Sequence, residues 1–344
     1  MSPVTIRDVA TRLNLSITTV SRALDGYADV AAATRARVET AAREMGYAPS
    51  HMARQMRRQR TDAIGFVIPV TRKLEGGSRA FADPYFSEFI AGLGDEATRH
   101  RLDLLVSVAT EEDEQPIYER WARGRRVDGF VLNRMRAHDW RARFLLRNSL
   151  PFVANGREIG EVTYPFIEVD SRSGFSQMVA HLAGLGHRRI AYIGGLPNLR
   201  SQSDRLSGYR AGLKKAGIAF DKRLVAAGDL TRQGGYLAAL ELLQRAPRPT
   251  ALIGMNDMTA LGAMRAANEL GLQVGRDVAI AGFDGIDDGA HASPPLTTLI
   301  QPAYSIARQS VQMLVALING DPIVERQIVL QPELVARAST LGTS

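Results

Sequence analysis

From residue 61 to the end, one pattern repeats along the chain: a short run of β-branched and apolar residues, then a stretch with helical period. This pattern predicts strands at 64–69, 103–108, 129–132, 152–154, 166–169, 190–194, 251–254, 278–282 and 296–300. Between them it predicts helices near 85–100, 171–185, 203–216, 235–245, 257–270 and 305–318. Strand–helix alternation of this kind folds into parallel sheets covered on both faces. The 284 residues involved exceed one ordinary domain, so two α/β lobes are expected.

The first 49 residues are of a different kind. Thr5 can open a helix with Asp8 as its capping-box partner, and Ile6, Val9, Ala10 and Leu13 fall on one apolar stripe. Ser16 is a natural N-cap for a second helix, whose inner face is Val20, Ala23 and Leu24. A third helix is predicted over 32–45, with Val38, Ala41, Ala42 and Met45 inside and Gly46 as its stop. Two short helices joined by a tight turn match the helix-turn-helix, which presents the outer side chains of its second helix to base edges in the major groove. Here those side chains are Ile17, Thr18, Ser21 and Arg22. Taken alone, two short amphipathic helices fit any small helical domain equally well.

Charge favours the DNA reading. Residues 1–60 hold ten arginines, no lysine and five acids, which places +5 of the chain's formal +7 in its first sixth. Such a surface suits phosphate. Residues 50–60 follow Pro49 and are short, very basic and poor in large apolar groups, either a basic linker or a helix too short to be stable alone.

Other classes have little support. No run of about twenty apolar residues spans a membrane, and no apolar signal region opens the chain, so a cytoplasmic protein is expected. With no cysteine, disulfides and thiolate metal sites are excluded. The histidines at 51, 100, 138, 181, 187 and 291 show no metal-ligand spacing. No GxGxxG, P-loop, HExxH or nucleophile-elbow motif is present, so no cofactor, metal or enzymatic activity is expected.

The segments Val4-Thr5-Ile6-Arg7-Asp8-Val9-Ala10, Thr19-Val20-Ser21-Arg22-Ala23-Leu24, Thr34-Arg35 and Gly46-Tyr47-Ala48-Pro49 resemble the LacI/GalR family of bacterial transcription regulators. Further along, Gly186-His187-Arg188-Arg189-Ile190-Ala191, Asn256-Asp257-Met258, Gly282-Phe283-Asp284 and Pro294-Pro295-Leu296-Thr297-Thr298 extend the resemblance over essentially the whole chain. It implies three parts: a helix-turn-helix head (1–49), a hinge helix (50–60), and a two-lobed, periplasmic-binding-protein-like sensor (61–344). The partners implied are a near-palindromic operator, a second copy of the chain and a small effector, and no leucine-heptad tail is present to build a tetramer. Thr5, Ser16, Ile17, Thr18, Ser21 and Arg22 are the implied DNA contacts in the head, with Ile17 and Thr18 choosing the operator. Met52, Ala53, Met56 and Arg57 are those in the hinge, Met56 at the position that wedges into the minor groove. The family commonly places a serine cap where this chain has Ala31. For the effector the resemblance implies Asp83, Tyr85, Phe86, Arg157, Arg205, Asn256 and Asp284. Asp83 also reads as a plain N-cap before Pro84, and Asp170 as a cap before Ser171. Polar residues with an aromatic turn suit a mono- or disaccharide, although purines and nucleosides are bound by relatives on the same frame.

Overall fold

The computed structural model describes residues 4–47, 60–70 and 83–341. The chain divides into two units, 1–61 and 62–344.

The first unit is three helices, α1 (Ile6–Leu13), α2 (Ile17–Leu24) and α3 (Ala32–Glu44). Val9, Ala10, Val20, Ala23, Val38 and Ala41 form its core, with Ile6, Leu13, Leu24 and Met45 packed around them. Asp8 Oδ2 accepts hydrogen bonds from the Thr5 backbone N–H (2.8 Å) and the Thr5 hydroxyl (2.7 Å). Those two bonds hold the Asp8 carboxyl below its ordinary pKa. Ser16 Oγ accepts from Thr19 N–H at 3.0 Å, as expected of an N-cap. Ala31 stands at the N-cap of α3 and offers the first turn no side-chain acceptor. Gly46, at φ +67°, ends the helix in the left-handed region that glycine occupies without steric penalty.

The second unit carries two six-stranded sheets. The first runs β11-β5-β4-β3-β1-β2, from β1 (Ala63–Pro69), β2 (Asp103–Ala109), β3 (Gly129–Leu132), β4 (Phe152–Asn155), β5 (Phe166–Val169) and β11 (Gln327–Leu330), all parallel. The second runs β12-β10-β9-β8-β6-β7, from β6 (Ile190–Ile193), β7 (Val225–Ala226), β8 (Ala251–Gly254), β9 (Ala279–Asp284), β10 (Thr297–Ile300) and β12 (Glu333–Val335). Its edge strand β12 is antiparallel to β10.

Each sheet is covered on both faces. On β1 the period-two alternation sends Ile64, Phe66 and Ile68 toward α4 (Pro84–Arg99) and α12 (Ala303–Asn319). Ala63 and Val67 face the other way, into a core shared with Tyr118 and Trp121 of α5 (Glu111–Arg123) and Leu145 of α6 (Trp140–Arg147). The second sheet lies between α7 (Ser171–Gly184) with α8 (Arg200–Lys215) and α9 (Arg232–Leu243) with α10 (Asp257–Glu269). Two short helices, α11 (Asp287–Ala290) and α13 (Ala338–Leu341), complete the unit. Helices α4 and α12 approach so closely that a Cβ on Gly92 would lie 2.4 Å from the Tyr304 carbonyl oxygen.

The chain passes between lobes three times: from β5 through Asp170 into α7, from β10 through Gln301 into α12, and from β11 into β12. All nine expected strands and six expected helices of this unit are present, within three residues at each end. Helices α5 and α6 were not expected. Helix α5 opens on Glu111-Glu112-Asp113-Glu114 and carries Pro116, and α6 is only eight residues long. Both are held by burial against the sheet, which intrinsic propensity does not register. Strands β7, β11 and β12 were also missed, because these short edge strands lack a clean apolar alternation.

Among the described residues, no helix is long and apolar enough to cross a membrane, and no group of three or more His, Asp or Glu could hold a metal ion.

Candidate functional site

In parallel α/β sheets, ligands meet the carboxyl ends of the strands. Here those ends, from both sheets, converge on one cleft between the lobes, with an empty volume of about 780 Å³ including its open mouth. Asp83, Tyr85, Arg157, Arg205, Asn256 and Asp284 all line it.

Phe86 does not. It is 3 % exposed in the core of the first lobe, where the Arg134 guanidinium lies over its ring at 4.8 Å. Pro84 starts α4 one residue after Asp83, and helical geometry then turns Tyr85 toward the cleft and Phe86 into the sheet. Asp83 is both cap and wall: Oδ1 accepts from Tyr85 N–H (3.2 Å), and Oδ2 pairs with Arg134 Nη2 at 3.0 Å. The Tyr85 hydroxyl accepts from Asn155 Nδ2 at 2.7 Å, and burial pushes its pKa up, so it stays protonated.

Across the cleft, Arg205 projects from α8 with 7 % of its surface exposed. Its guanidinium stacks 3.9 Å from the Phe283 ring centre and donates from Nη1 to the Met255 carbonyl at 2.5 Å. Asn256 caps α10: its Oδ1 accepts from Thr259 N–H (3.0 Å) and the Thr259 hydroxyl (2.6 Å), and its Nδ2 donates to the Leu230 carbonyl (3.1 Å). Most of its hydrogen-bonding capacity is therefore spent inside the protein. Asp284 ends β9 with φ +135°, a backbone conformation that L side chains rarely adopt, and its Oδ1 accepts from Gln301 Nε2 at 2.6 Å. Burial pushes the Asp284 carboxyl well above the ordinary range. The Arg205 charge opposes that rise, and the charges of Asp83 and Asp257 add to it. Arg157 donates from Nε to Glu168 at 3.0 Å and lies over Phe166. Burial raises the Glu168 carboxyl against the pull of Arg157. Asp170 is a helix cap, accepting from Ser173 N–H at 2.9 Å.

Sequence reasoning missed Asn133, Arg134, Asn155, Glu168, Arg200, Asp204 and Gln301, all of which line the same cleft. Asn133, Arg134 and Asn155 stand at or just past the ends of predicted strands, so the carboxyl-end rule could have found them. Arg200 and Asp204 pair at 2.8 Å on the first turns of α8, which begins three residues earlier than its periodicity indicates. The loop carrying Asn133 and Arg134 is held from behind by Arg141. This fully buried side chain donates from Nη2 to the carbonyls of Asn133 (3.0 Å) and Arg134 (3.1 Å), while pairing with Glu114 (2.9 Å) and Asp139 (2.7 Å).

In the head, Ser16, Ile17 and Thr18 are exposed, Ile17 at 45 %, as is Thr5. Arg22 is exposed too, but pairs with Asp29 and lies over the Tyr27 ring. Ser21 is not on the outer face: it is 5 % exposed, and its hydroxyl donates to Asp25 Oδ2 at 3.3 Å. Met52, Ala53, Met56 and Arg57 lie outside the described residues.

A helix-turn-helix unit joined in one chain to a two-lobed α/β unit with a polar cleft between its lobes defines the class of sensor-coupled DNA-binding regulators. Residues 5–50 match the family model of the bacterial regulatory proteins, lacI family, and residues 179–340 match the periplasmic binding protein-like domain. The HTH-type transcriptional regulator AglR of Rhizobium meliloti (strain 1021) is 35 % identical over 98 % of this chain and 94 % of its own length. The transcriptional regulator CelR–cellobiose complex aligns at TM-score 0.74 and 31 % identity, covering 98 % of this chain and 99 % of that one. The lac repressor dimer bound to operator and the anti-inducer ONPF aligns at TM-score 0.85 and 28 % identity, covering 99 % and 100 %. The chain belongs to the lacI family of bacterial regulatory proteins and is a DNA-binding transcriptional regulator.

Proposed function

We propose that this regulator is a cytoplasmic repressor without enzymatic activity, acting as a homodimer on a near-palindromic operator and released by a mono- or disaccharide bound in the inter-lobe cleft. The observation that carries the effector reading is a buried donor on a cleft-lining residue, Arg205 Nε, which has no hydrogen-bond acceptor within the protein. Buried donors call for a partner, and a sugar hydroxyl is one, while Asp83, Asp284 and Glu168 can accept from its neighbours. The CelR relative was solved with cellobiose, which supports the same ligand class here. Asp83, Tyr85, Arg157, Arg205 and Asp284 make the direct contacts in this reading, and Asn256 chiefly shapes the wall.

On the DNA side, Ile17 and Thr18 read base edges, with Thr5, Ser16 and Arg22 nearby on phosphate. An apolar Ile17 favours a thymine methyl. Effector binding shifts the population between two lobe arrangements, of which one favours operator. A thermal-shift screen with cellobiose, glucose, ribose, sugar phosphates, nucleosides and purines tests this, with hits carried into operator-release assays. A sugar that raises Tm and weakens operator binding is expected. Hits confined to nucleosides or purines would replace the sugar, and operator binding indifferent to every hit would sink the effector-controlled repressor.

A further inference from the structure

Directly behind Asp284 lies a carboxylate with no assigned role. Asp257, the first residue of α10, is 0 % exposed. Its Oδ2 accepts from the backbone N–H groups of Gly285 (2.8 Å) and Ile286 (2.9 Å), and its Oδ1 accepts from the Thr298 hydroxyl of β10 at 2.6 Å. One side chain thus gathers the exit of β9 and the strand that leads into the Gln301 crossing. The segment it holds is strained at Asp284, at φ +135°. A non-glycine residue keeps such a conformation only where its surroundings over-determine it. The segment also reaches both lobes. Asp284 lines the cleft, and Ile286 belongs to the apolar cluster that Phe66, Phe89 and Ile306 form over the first sheet. Space for the carboxylate is made by Gly282, where a Cβ would lie 2.1 Å from Asp257 Oδ1.

We propose that Asp257 is a positioning residue that holds the Asp284–Ile286 exit of β9 in the strained conformation that presents Asp284 to the cleft. It touches no effector and acts through Asp284. That consequence for effector affinity rests on the sugar reading above, whereas the hold on the strand exit does not. Alanine removes both acceptor atoms. Asparagine keeps them satisfied, its oxygen accepting the two amides and its NH₂ donating to the Thr298 hydroxyl.

Hydrogen exchange on the full chain without sugar tests the hold. In Asp257→Ala the Gly285 and Ile286 amides should exchange at least about tenfold faster, and in Asp257→Asn within about threefold of wild type. Titration with cellobiose, glucose and ribose tests the consequence: Asp257→Ala should lose at least about tenfold in affinity for whichever sugar wild type binds, and Asp257→Asn should restore it. Leu242→Ala, a core truncation on α9, should lower Tm without moving either readout, which separates positioning from general destabilisation. Unchanged exchange at Gly285 and Ile286 in Asp257→Ala overturns the proposal, as does an equal change in Leu242→Ala. If wild type binds none of the sugars, the sugar reading fails while the exchange arm still decides the role of Asp257.

Discussion

Replacing Asp257 by asparagine should stabilise the sensor at alkaline pH and leave it unchanged in acid. The carboxyl is fully buried, and its three donors and the distant charge of Arg337 do not offset the loss of water, so burial lifts its pKa from 3.8 to about 6. A carboxyl whose folded pKa exceeds its unfolded one holds its proton more tightly when folded. The associated stability is complete below the unfolded 3.8 and is lost as pH rises through about 6. At 1.36 kcal/mol per pH unit, the interval from 3.8 to about 6 corresponds to roughly 3 kcal/mol. Asparagine, a neutral isostere of the protonated acid, keeps the hydrogen bonds and removes the ionisation. By calorimetry, wild type and variant should melt together at about pH 4, while the variant should melt roughly 5–10 °C higher at about pH 8. A gap of the same size at both pH values, or a variant less stable in alkali, would refute the argument from burial.

Ala31→Ser should give α3 the side-chain acceptor it lacks, adding about 1 kcal/mol. Exchange of the α3 amides in the full chain should slow by about fivefold, and an unaltered rate would remove the capping argument. Glu114→Ala should remove the carboxylate that pairs with both Arg141 and Arg136, leave the two guanidiniums with Asp139 as their remaining buried acid, and cost about 3–5 kcal/mol in urea unfolding; a loss under about 1 kcal/mol would show that water reaches the pair. Arg205→Ala should abolish the response to sugar while operator affinity stays near wild type. If DNA binding is lost as well, Arg205 holds the fold and does not read the effector. Ile17→Ala should change which operator is preferred, and uniform weakening across operators would argue against base readout.

Much of this protein was legible in the sequence because its signals are local. The helix-turn-helix follows from caps and apolar spacing within some twenty residues, and Ser16 and Asp8 behave as their positions dictate. The parallel sheets follow from alternation, and Asp83, Arg157, Arg205 and Asp284, which the family resemblance implied, all line one cleft. Where local signals compete, the sequence misled. Phe86 and Tyr85 are adjacent aromatics, and only the direction of α4 decides which one faces the cleft. Ser21 reads as an outer polar residue, yet it is buried and its hydroxyl donates to Asp25.

The amino-acid sequence by itself determined the two-part organisation, the sheet-forming order and the family, since each depends on periodicity and short motifs. Only the tertiary structure decided the chemistry of the cleft. The Arg141–Glu114–Asp139 network, the strained φ of Asp284 and the buried carboxylate of Asp257 join residues up to 41 positions apart, as Asp257 and Thr298 do. Their energies come from desolvation and close approach in the folded state, and neither exists until the lobes have formed.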